Sequence, residues 1–105
     1  MIIEIGGLYF EWDIDKEQIN IERHDVDFET AALIFLDDNV LQRFDDIHSD
    51  GEIRMQAIGA TDESQVLILT AAYTERGENI RIINARKATK KERGLYYGQN
   101  RKNKR

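Results

Sequence analysis

The sequence predicts an α+β domain, with a mainly antiparallel sheet and helices packed on one of its faces. Three observations predict this class. Apolar and polar residues alternate in several short segments, which is the period of a strand. Two segments in the first part of the chain carry apolar residues at helical spacing instead. Short loops join the last three strands, so neighbouring strands should be antiparallel.

The first part of the chain is expected to form one strand and two helices. Alternation of large apolar residues over residues 8–12 indicates the strand. Asp13 is expected to cap a helix over residues 14–24, whose acids lie early and whose bases lie late, as the helix dipole favours. Asp27 is expected to cap a second helix over residues 28–36, which carries an apolar stripe.

The second part of the chain is expected to complete the sheet and to end in a helix. Four more strands are predicted, over residues 40–45, 52–60, 65–73 and 79–85. Residues 74–77 are expected to form the last hairpin turn, since Gly77 can adopt a positive φ. Thr89 and Glu92 match a capping box, which predicts a final helix over residues 88–97.

Charge is divided unequally along the chain. The formal net charge is -5, yet residues 86–105 contain nine Lys or Arg and Glu92 as their only acid. A basic end on an acidic body suits an anionic partner such as nucleic acid. Residues 1–97 are expected to form one domain, and residues 98–105 are expected to be a basic, disordered tail.

Composition excludes several classes of protein. The sequence contains no cysteine, so it has neither disulfides nor thiolate metal sites. No apolar run is long enough to cross a membrane, and the start of the chain does not resemble a signal peptide. A cytoplasmic protein without membrane contact is therefore expected.

Four arginines are expected to meet on the open face and rim of the sheet: Arg54, Arg76, Arg81 and Arg86. Arg81 alternates with Ile80 and Ile82, so a strand would turn both isoleucines into the core and Arg81 to the opposite face. Arginine suits phosphate because its planar guanidinium donates two parallel hydrogen bonds and stays charged. Each arginine could instead pair with one of the 20 acidic side chains of the chain.

Such a cluster favours an enzyme that cleaves RNA. In this reaction the 2′-hydroxyl attacks the adjacent phosphorus, and the barrier falls when a base removes its proton and fixed cations neutralise the phosphate. We expect Arg54, Arg76 and Arg81 to supply the cations, and His48 or Glu52 to be the base. The RNA-binding residues are expected to be Arg86, Lys87, Lys90 and Lys91.

Other interpretations of these residues stay open from the sequence. His48 lies in a loop beside Ser49 and Asp50, where a histidine taken alone is more often structural. His48, Asp50 and Glu52 could also hold a hard divalent ion, but their spacing matches no specific ligand motif, so we expect neither a metal nor another cofactor. Instead of an enzyme, the chain could be a non-catalytic module that binds a protein or a nucleic acid.

Five groups of residues occur in an order that resembles the BrnT family of toxins. They are Phe10-Glu11-Trp12-Asp13 with Lys16 and Asn20; Arg23-His24 with Val26-Asp27-Phe28-Glu29; His48-Ser49 with Glu52 and Arg54; Tyr73-Thr74-Glu75-Arg76-Gly77; and Ile80-Arg81-Ile82-Ile83-Asn84-Ala85-Arg86 with Glu92-Arg93 and Tyr96. The resemblance covers residues 10–97, which is nearly the whole chain.

The resemblance implies the toxin half of a bacterial type II toxin-antitoxin pair, a ribonuclease with a compact fold similar to RelE. It implies a BrnA-like antitoxin as the partner. That antitoxin carries the DNA-binding domain, so the toxin would reach operator DNA only through it. The four arginines named above, His48 and Glu52 all lie at family motif positions. One departure is Asp25, because the family usually has glycine after the histidine that ends the first helix.

Overall fold

The computed structural model describes residues 2–47 and 52–103. Its elements in chain order are β1 (Ile2–Ile5), β2 (Leu8–Glu11), α1 (Ile14–His24), α2 (Phe28–Ala32), a 3-10 helix (Leu33–Leu36), β3 (Leu41–Ile47), β4 (Ile53–Ala60), β5 (Ile68–Arg76), β6 (Asn79–Lys87) and α3 (Lys90–Asn103). The strands form one sheet in the order β1-β2-β6-β5-β4-β3. All neighbours are antiparallel except β2 and β6. The predicted α+β class and mainly antiparallel sheet are confirmed.

Two aspartates bound α1. The Asp13 carboxylate accepts hydrogen bonds from the backbone N–H of Asp15 at 2.8 Å and of Lys16 at 3.3 Å, so the predicted N-cap is confirmed. Asp25 ends the helix in the left-handed conformation, with a φ of 57°, and its N–H donates to the Ile21 carbonyl oxygen at 2.8 Å. Glycine adopts this conformation at a lower cost than aspartate does.

A hydrophobic core lies between one face of the sheet and a helical segment that comprises α2 and the 3-10 helix, and α1 packs beside it against β6. Glu17 ties α1 to its neighbours, because its carboxylate accepts hydrogen bonds from the Trp12 indole N–H at 3.0 Å and the Phe28 backbone N–H at 2.8 Å. The Trp12 and Phe28 rings meet edge to face, with centroids 5.9 Å apart. Among the buried residues that the sheet contributes are Phe10, Ala57, Leu69, Tyr73 and Ile82.

The last helix, α3, packs on the opposite face of the sheet, which differs from the predicted one-sided arrangement. Ile58 and Ile68 are buried with Tyr96 of α3, whereas their strand neighbours Ala57 and Leu69 belong to the first core. Successive side chains of a strand point to opposite faces, so these neighbours mark the two faces. α1 and α2 follow the prediction, and α3 covers the apolar part of the second face.

Several boundaries also differ from the sequence prediction. The alternation pattern predicted no strand at β1, which turns back onto β2 through Gly6 and Gly7, with φ of 61° and 88°. β5 continues through residues 74–76, and the turn lies at Gly77, with a φ of 58°. The predicted second helix is divided into α2 and the 3-10 helix. α3 runs to Asn103, so helical backbone enters the segment predicted to be a disordered tail.

Glu92 anchors the start of α3 to the sheet. Its carboxylate accepts two hydrogen bonds from the Arg86 guanidinium, at 2.7 and 3.0 Å. It accepts further bonds from the Thr70 hydroxyl at 3.0 Å and the Thr89 backbone N–H at 2.9 Å. The Glu92 N–H donates to the Thr89 hydroxyl at 3.1 Å, which confirms the predicted capping box. Hydrogen bonding to Arg86 lowers the pKa of the buried Glu92 to about 2.

Replacing Asp25 with glycine is expected to raise the free energy of unfolding by about 0.5–1 kcal/mol. The variant relieves the left-handed strain and removes an acid from the negative end of the helix dipole. Asp25→Asn removes only the charge and should stabilise less. Urea unfolding measures both variants, and a loss of stability in Asp25→Gly would contradict the strain argument.

The Glu92 pair is expected to make stability depend on pH. Because its folded pKa of about 2 lies below the ordinary value of 4.5, its contribution is complete above about pH 4.5 and is lost as the pH falls towards 2. Glu92→Gln should therefore lower the free energy of unfolding by about 2–3 kcal/mol at neutral pH, and the deficit should shrink in acid.

Urea unfolding of the parent and of Glu92→Gln across the acid range measures this difference. Glu63→Gln is the matched control, since that carboxylate is exposed. Its difference from the parent should stay close to zero throughout. A deficit for Glu92→Gln that does not change with pH would show that the ion pair is not its cause.

Candidate functional site

The open face is the part of the second sheet face that α3 leaves uncovered. The strand register places on it Arg43, Arg54, Gln56, Ala72, Thr74, Arg81 and Asn84. Arg81 lies opposite Thr74 in the β5–β6 pair. Met55 lies opposite Tyr73 in the antiparallel β4–β5 pair. Arg54, which precedes Met55, and Thr74, which follows Tyr73, are therefore neighbours on the open face. Three polar residues therefore line up across three strands in the order Arg54, Thr74, Arg81.

A β-bulge in β6 keeps its two arginines on the same face. Ala72 pairs with Asn84 and Tyr73 pairs with Ile82, so Ile83 is an extra residue without a partner on β5. In an unbroken strand, residues five apart point to opposite faces. The extra residue of the bulge reverses this relation, and Arg86 consequently lies on the same face as Arg81. The alternation used for the sequence prediction does not reveal the bulge.

Arg54 and Arg81 lack a close carboxylate among the side chains that the structure describes. The register places Glu11 opposite Arg81 and Asp46 opposite Arg54. No carboxylate oxygen of a described side chain lies within 4.0 Å of either guanidinium. Within the described part of the chain, the salt-bridge alternative is therefore not realised for these two arginines.

The rim of the open face holds a different arrangement. Arg76 Nη2 lies 3.6 Å from Glu52 Oε1, and the two side chains are 53% and 36% exposed. An ion pair this exposed contributes little to stability. It does bring one predicted phosphate-binding residue next to one predicted base. His48 and Asp50, the other residues considered for the base or a metal, lie outside the described residues.

The strand register places Thr74 between Arg54 and Arg81. Thr74 is 1% exposed, and its Oγ1 is buried without a hydrogen-bond partner among the described residues. Buried hydroxyls nearly always have a partner, because burying one without it costs free energy. The sequence interpretation placed Thr74 in a turn and missed it, although alternation continued past Tyr73 would have placed it on the open face.

The family to which the chain belongs follows from comparison with known proteins. The profile described as "Ribonuclease toxin, BrnT, of type II toxin-antitoxin system" matches residues 12–92. The chain belongs to the BrnT family. It is therefore a ribonuclease toxin of a type II toxin-antitoxin system, with RNA as its target and an antitoxin as its partner. The matched residues of this BrnT-family toxin include every predicted site residue.

A solved structure supports the fold of this BrnT-family toxin. The crystal structure of the Brucella abortus ribonuclease toxin BrnT is similar, with a TM-score of 0.54 and 23% sequence identity. The similarity covers 77% of this chain and 96% of the Brucella chain. Comparison with curated proteins gives no match. Within the described residues, no helix is both long and apolar enough to cross a membrane.

The remaining predicted RNA-binding residues of this BrnT-family toxin lie at the far end of β6. Lys87, Lys90 and Lys91 are exposed at the end of β6 and the start of α3. Lys87 follows Arg81 by six positions along β6, a distance of about 20 Å. Arg86 is held by Glu92, and this ion pair raises the pKa of Arg86. The predicted residues therefore form two groups, one on the open face and one beside α3.

Thr74→Val is expected to lower the rate of RNA cleavage without lowering the stability of the fold. Valine keeps the shape of threonine and removes a buried hydroxyl that has no described partner, so the free energy of unfolding should stay within about 0.5 kcal/mol or rise. RNA cleavage should fall roughly tenfold, the effect of losing one hydrogen bond near the phosphate.

Thr70→Val is the matched control for this test. The Thr70 hydroxyl lies on the same face of β5 and donates to Glu92. Its loss should lower the free energy of unfolding by about 1–2 kcal/mol, while the folded variant keeps its cleavage rate. If Thr74→Val destabilises as much as Thr70→Val, or cleaves RNA as fast as the parent, the hydroxyl has no part in the site.

Proposed function

We propose that this BrnT-family toxin cleaves RNA on the open face, with Arg54 and Arg81 binding the scissile phosphate. The observation that carries the proposal is that two guanidiniums flank Thr74. Within the described residues, the Thr74 hydroxyl has no hydrogen-bond partner and no carboxylate lies within 4.0 Å of either guanidinium. Each guanidinium can donate two parallel hydrogen bonds to phosphate oxygens. Two of them on rigid strands stabilise the extra negative charge of the transition state without reorganisation.

The proposed chemistry is attack by the neighbouring 2′-hydroxyl. A base removes the 2′-hydroxyl proton, a bond forms between O2′ and phosphorus, and the bond between phosphorus and O5′ breaks. The leaving 5′ oxygen takes up a proton, and the other product ends in a 2′,3′-cyclic phosphate. Neither a metal nor another cofactor takes part in this scheme.

Glu52 or His48 is proposed as the base. Arg76 holds the Glu52 carboxylate at the rim of the open face, which supports Glu52. Arg76 itself is proposed to contact the same phosphate. Measuring the cleavage rate against pH for Glu52→Gln and His48→Gln decides between the two bases, since only loss of the base removes the acidic limb of the profile.

The partner is proposed to be a BrnA-like antitoxin, with operator DNA bound only through that antitoxin. The family description, which names a type II toxin-antitoxin system, supports this proposal. Arg86, Lys87, Lys90 and Lys91 are proposed to steer RNA towards the open face. Since the substrate is RNA, the proposed location is the cytoplasm.

The proposal is tested with Arg54→Ala and Arg81→Ala. Each should lower the single-turnover rate of RNA cleavage roughly a hundred- to a thousandfold, because each removes a cation that acts on the transition state. Circular dichroism and urea unfolding should match the parent, since neither side chain has a described ion pair. Arg93→Ala is the control, because Arg93 lies on α3 and its side chain bonds only the Ala88 carbonyl oxygen among its described partners. It should cleave RNA at the parental rate.

Two further conditions sharpen this test. Cleavage by the parent should persist in excess chelator and should cease when the scissile nucleotide lacks its 2′-hydroxyl. Parental rates in Arg54→Ala and Arg81→Ala would place the site elsewhere. Retention of RNA without cleavage by the parent would favour a non-catalytic binding module.

A further inference from the structure

A basic groove lies beside the open face, between α1 and the outer edge of β6. Its volume is about 330 Å³. Lys16, Arg23 and His24 line it from α1, and Arg86 lines it from β6. No carboxylate is among the lining residues that the structure describes, although the chain carries 20 acids and a net charge of -5. In a chain with this composition, a groove whose described ionisable lining residues are all basic is a local reversal of the overall charge.

The spacing of residues on α1 produces the groove. Lys16, Asn20, Arg23 and His24 recur at helical intervals, so they share one side of α1. Asn20 fixes the position of that side, because its amide pairs with the backbone of Ala85, donating at 2.8 Å and accepting at 3.0 Å. Asn20 thus takes the place of a neighbouring strand beyond the end of β2. Its anchoring brings the basic side chains against the edge of β6.

Helix electrostatics explains only part of this charge. Arg23 and His24 lie in the last turn of α1, where the dipole favours cations. Lys16 lies in the first turn, where the dipole favours acids instead. Neither Lys16 nor Arg23 has a carboxylate within 4.0 Å among the described side chains. The position of Lys16 in the groove therefore has no explanation in helix stability.

The groove also adjoins the site proposed above. Asn84 lies on the open face and lines the groove as well. Arg81 and Arg86 are five residues apart on β6, which is about 16 Å, a distance that a strand of a few nucleotides can span. Through Asn84 the groove adjoins the open face, and through Arg86 it adjoins the end of β6 that precedes α3.

We propose that this groove is a second phosphate-binding site, which holds the single-stranded RNA substrate to one side of the scissile bond. The proposal rests on the proposed function for the identity of the ligand. Lys16 and Arg23 contact a phosphate that is not cleaved, and the exposed Ile19 at the groove supports a ribose or a base. These side chains contribute to binding and not to the chemical step.

The test uses Lys16→Gln combined with Arg23→Gln in the full chain. The probe is a short single-stranded oligoribonucleotide with every 2′-hydroxyl methylated, so that binding is measured without cleavage. We expect the Kd to rise roughly five- to tenfold, and the slope of log Kd against log salt to fall by about 1.4, the value for two lost phosphate contacts. With cleavable RNA at saturation, the cleavage rate should equal that of the parent.

Two controls distinguish the effect of positive charge in the groove from the effect of the net charge of the chain. Lys16→Arg combined with Arg23→Lys keeps both charges and should keep the parental Kd and salt slope. Lys102→Gln combined with Lys104→Gln removes two charges from the end of the chain and should leave the salt slope unchanged. Equal losses in this variant and in the groove variant would overturn the proposal, because they would reflect net charge alone.

The outcomes also separate this proposal from the proposed catalytic site. A parental Kd and salt slope in the groove variant overturn the groove, even if Arg54→Ala and Arg81→Ala abolish cleavage. Conversely, a weakened Kd supports the groove even if those two variants still cleave RNA. A variant that binds RNA normally but binds its antitoxin more weakly shows a protein interface instead, and this too overturns the proposal.

Discussion

Burial of one face of the sheet determines which residues the other face can offer. Tyr73 and Ile82 lie opposite each other in the β5–β6 pair, and both are buried in the core against the helices. The alternation of side chains then turns Thr74 and Arg81 to the open face. A slip of one residue between these strands would bury Arg81 and expose Ile82, at a cost of several kcal/mol. The hydrophobic core thus sets the register, and the register sets the positions of the guanidiniums.

Arg81 and Arg86 both lie on β6, but they have different roles because their surroundings differ. Arg86 faces the capping box of α3, where Glu92 is held in place by Thr70 and Thr89. Because the Glu92 carboxylate is hydrogen-bonded to Thr70, Arg86 and Thr89, its partly buried ion pair with Arg86 stabilises the fold. Arg81, on the same face of β6, meets no such carboxylate among the described side chains. The same residue type therefore supports the fold at one position and is available to a ligand at the other.

α1 both covers the outer edge of β6 and places basic side chains beside it. β2 ends after Glu11, and no other strand that the structure describes pairs with the rest of the outer edge of β6. Asn20 pairs with the backbone there through its amide and so covers the edge. A helix held in this way must direct the neighbouring side chains along the same edge. Lys16 and Arg23 accordingly line the groove next to the open face, although the chain as a whole is acidic.

The sequence by itself determined the elements with strong local signals. The cap at Asp13, the capping box of Thr89 and Glu92, and the alternation that turns Arg81 outward depend on residues within a few positions of one another. The order of residues also indicated the family that the comparisons then showed. Short-range rules are sufficient for such features, because caps and strand faces are set by local geometry.

Only the tertiary structure decided the placement of α3 and the pairing of the charges. Ile58 and Ile68 lie in different strands, so the apolar patch that α3 covers exists only after the sheet has formed. The bulge at Ile83 comes from pairing between strands, and it places Arg86 on the same face as Arg81. Which arginine finds a carboxylate depends on distances between elements far apart in the chain, and no local periodicity contains that information.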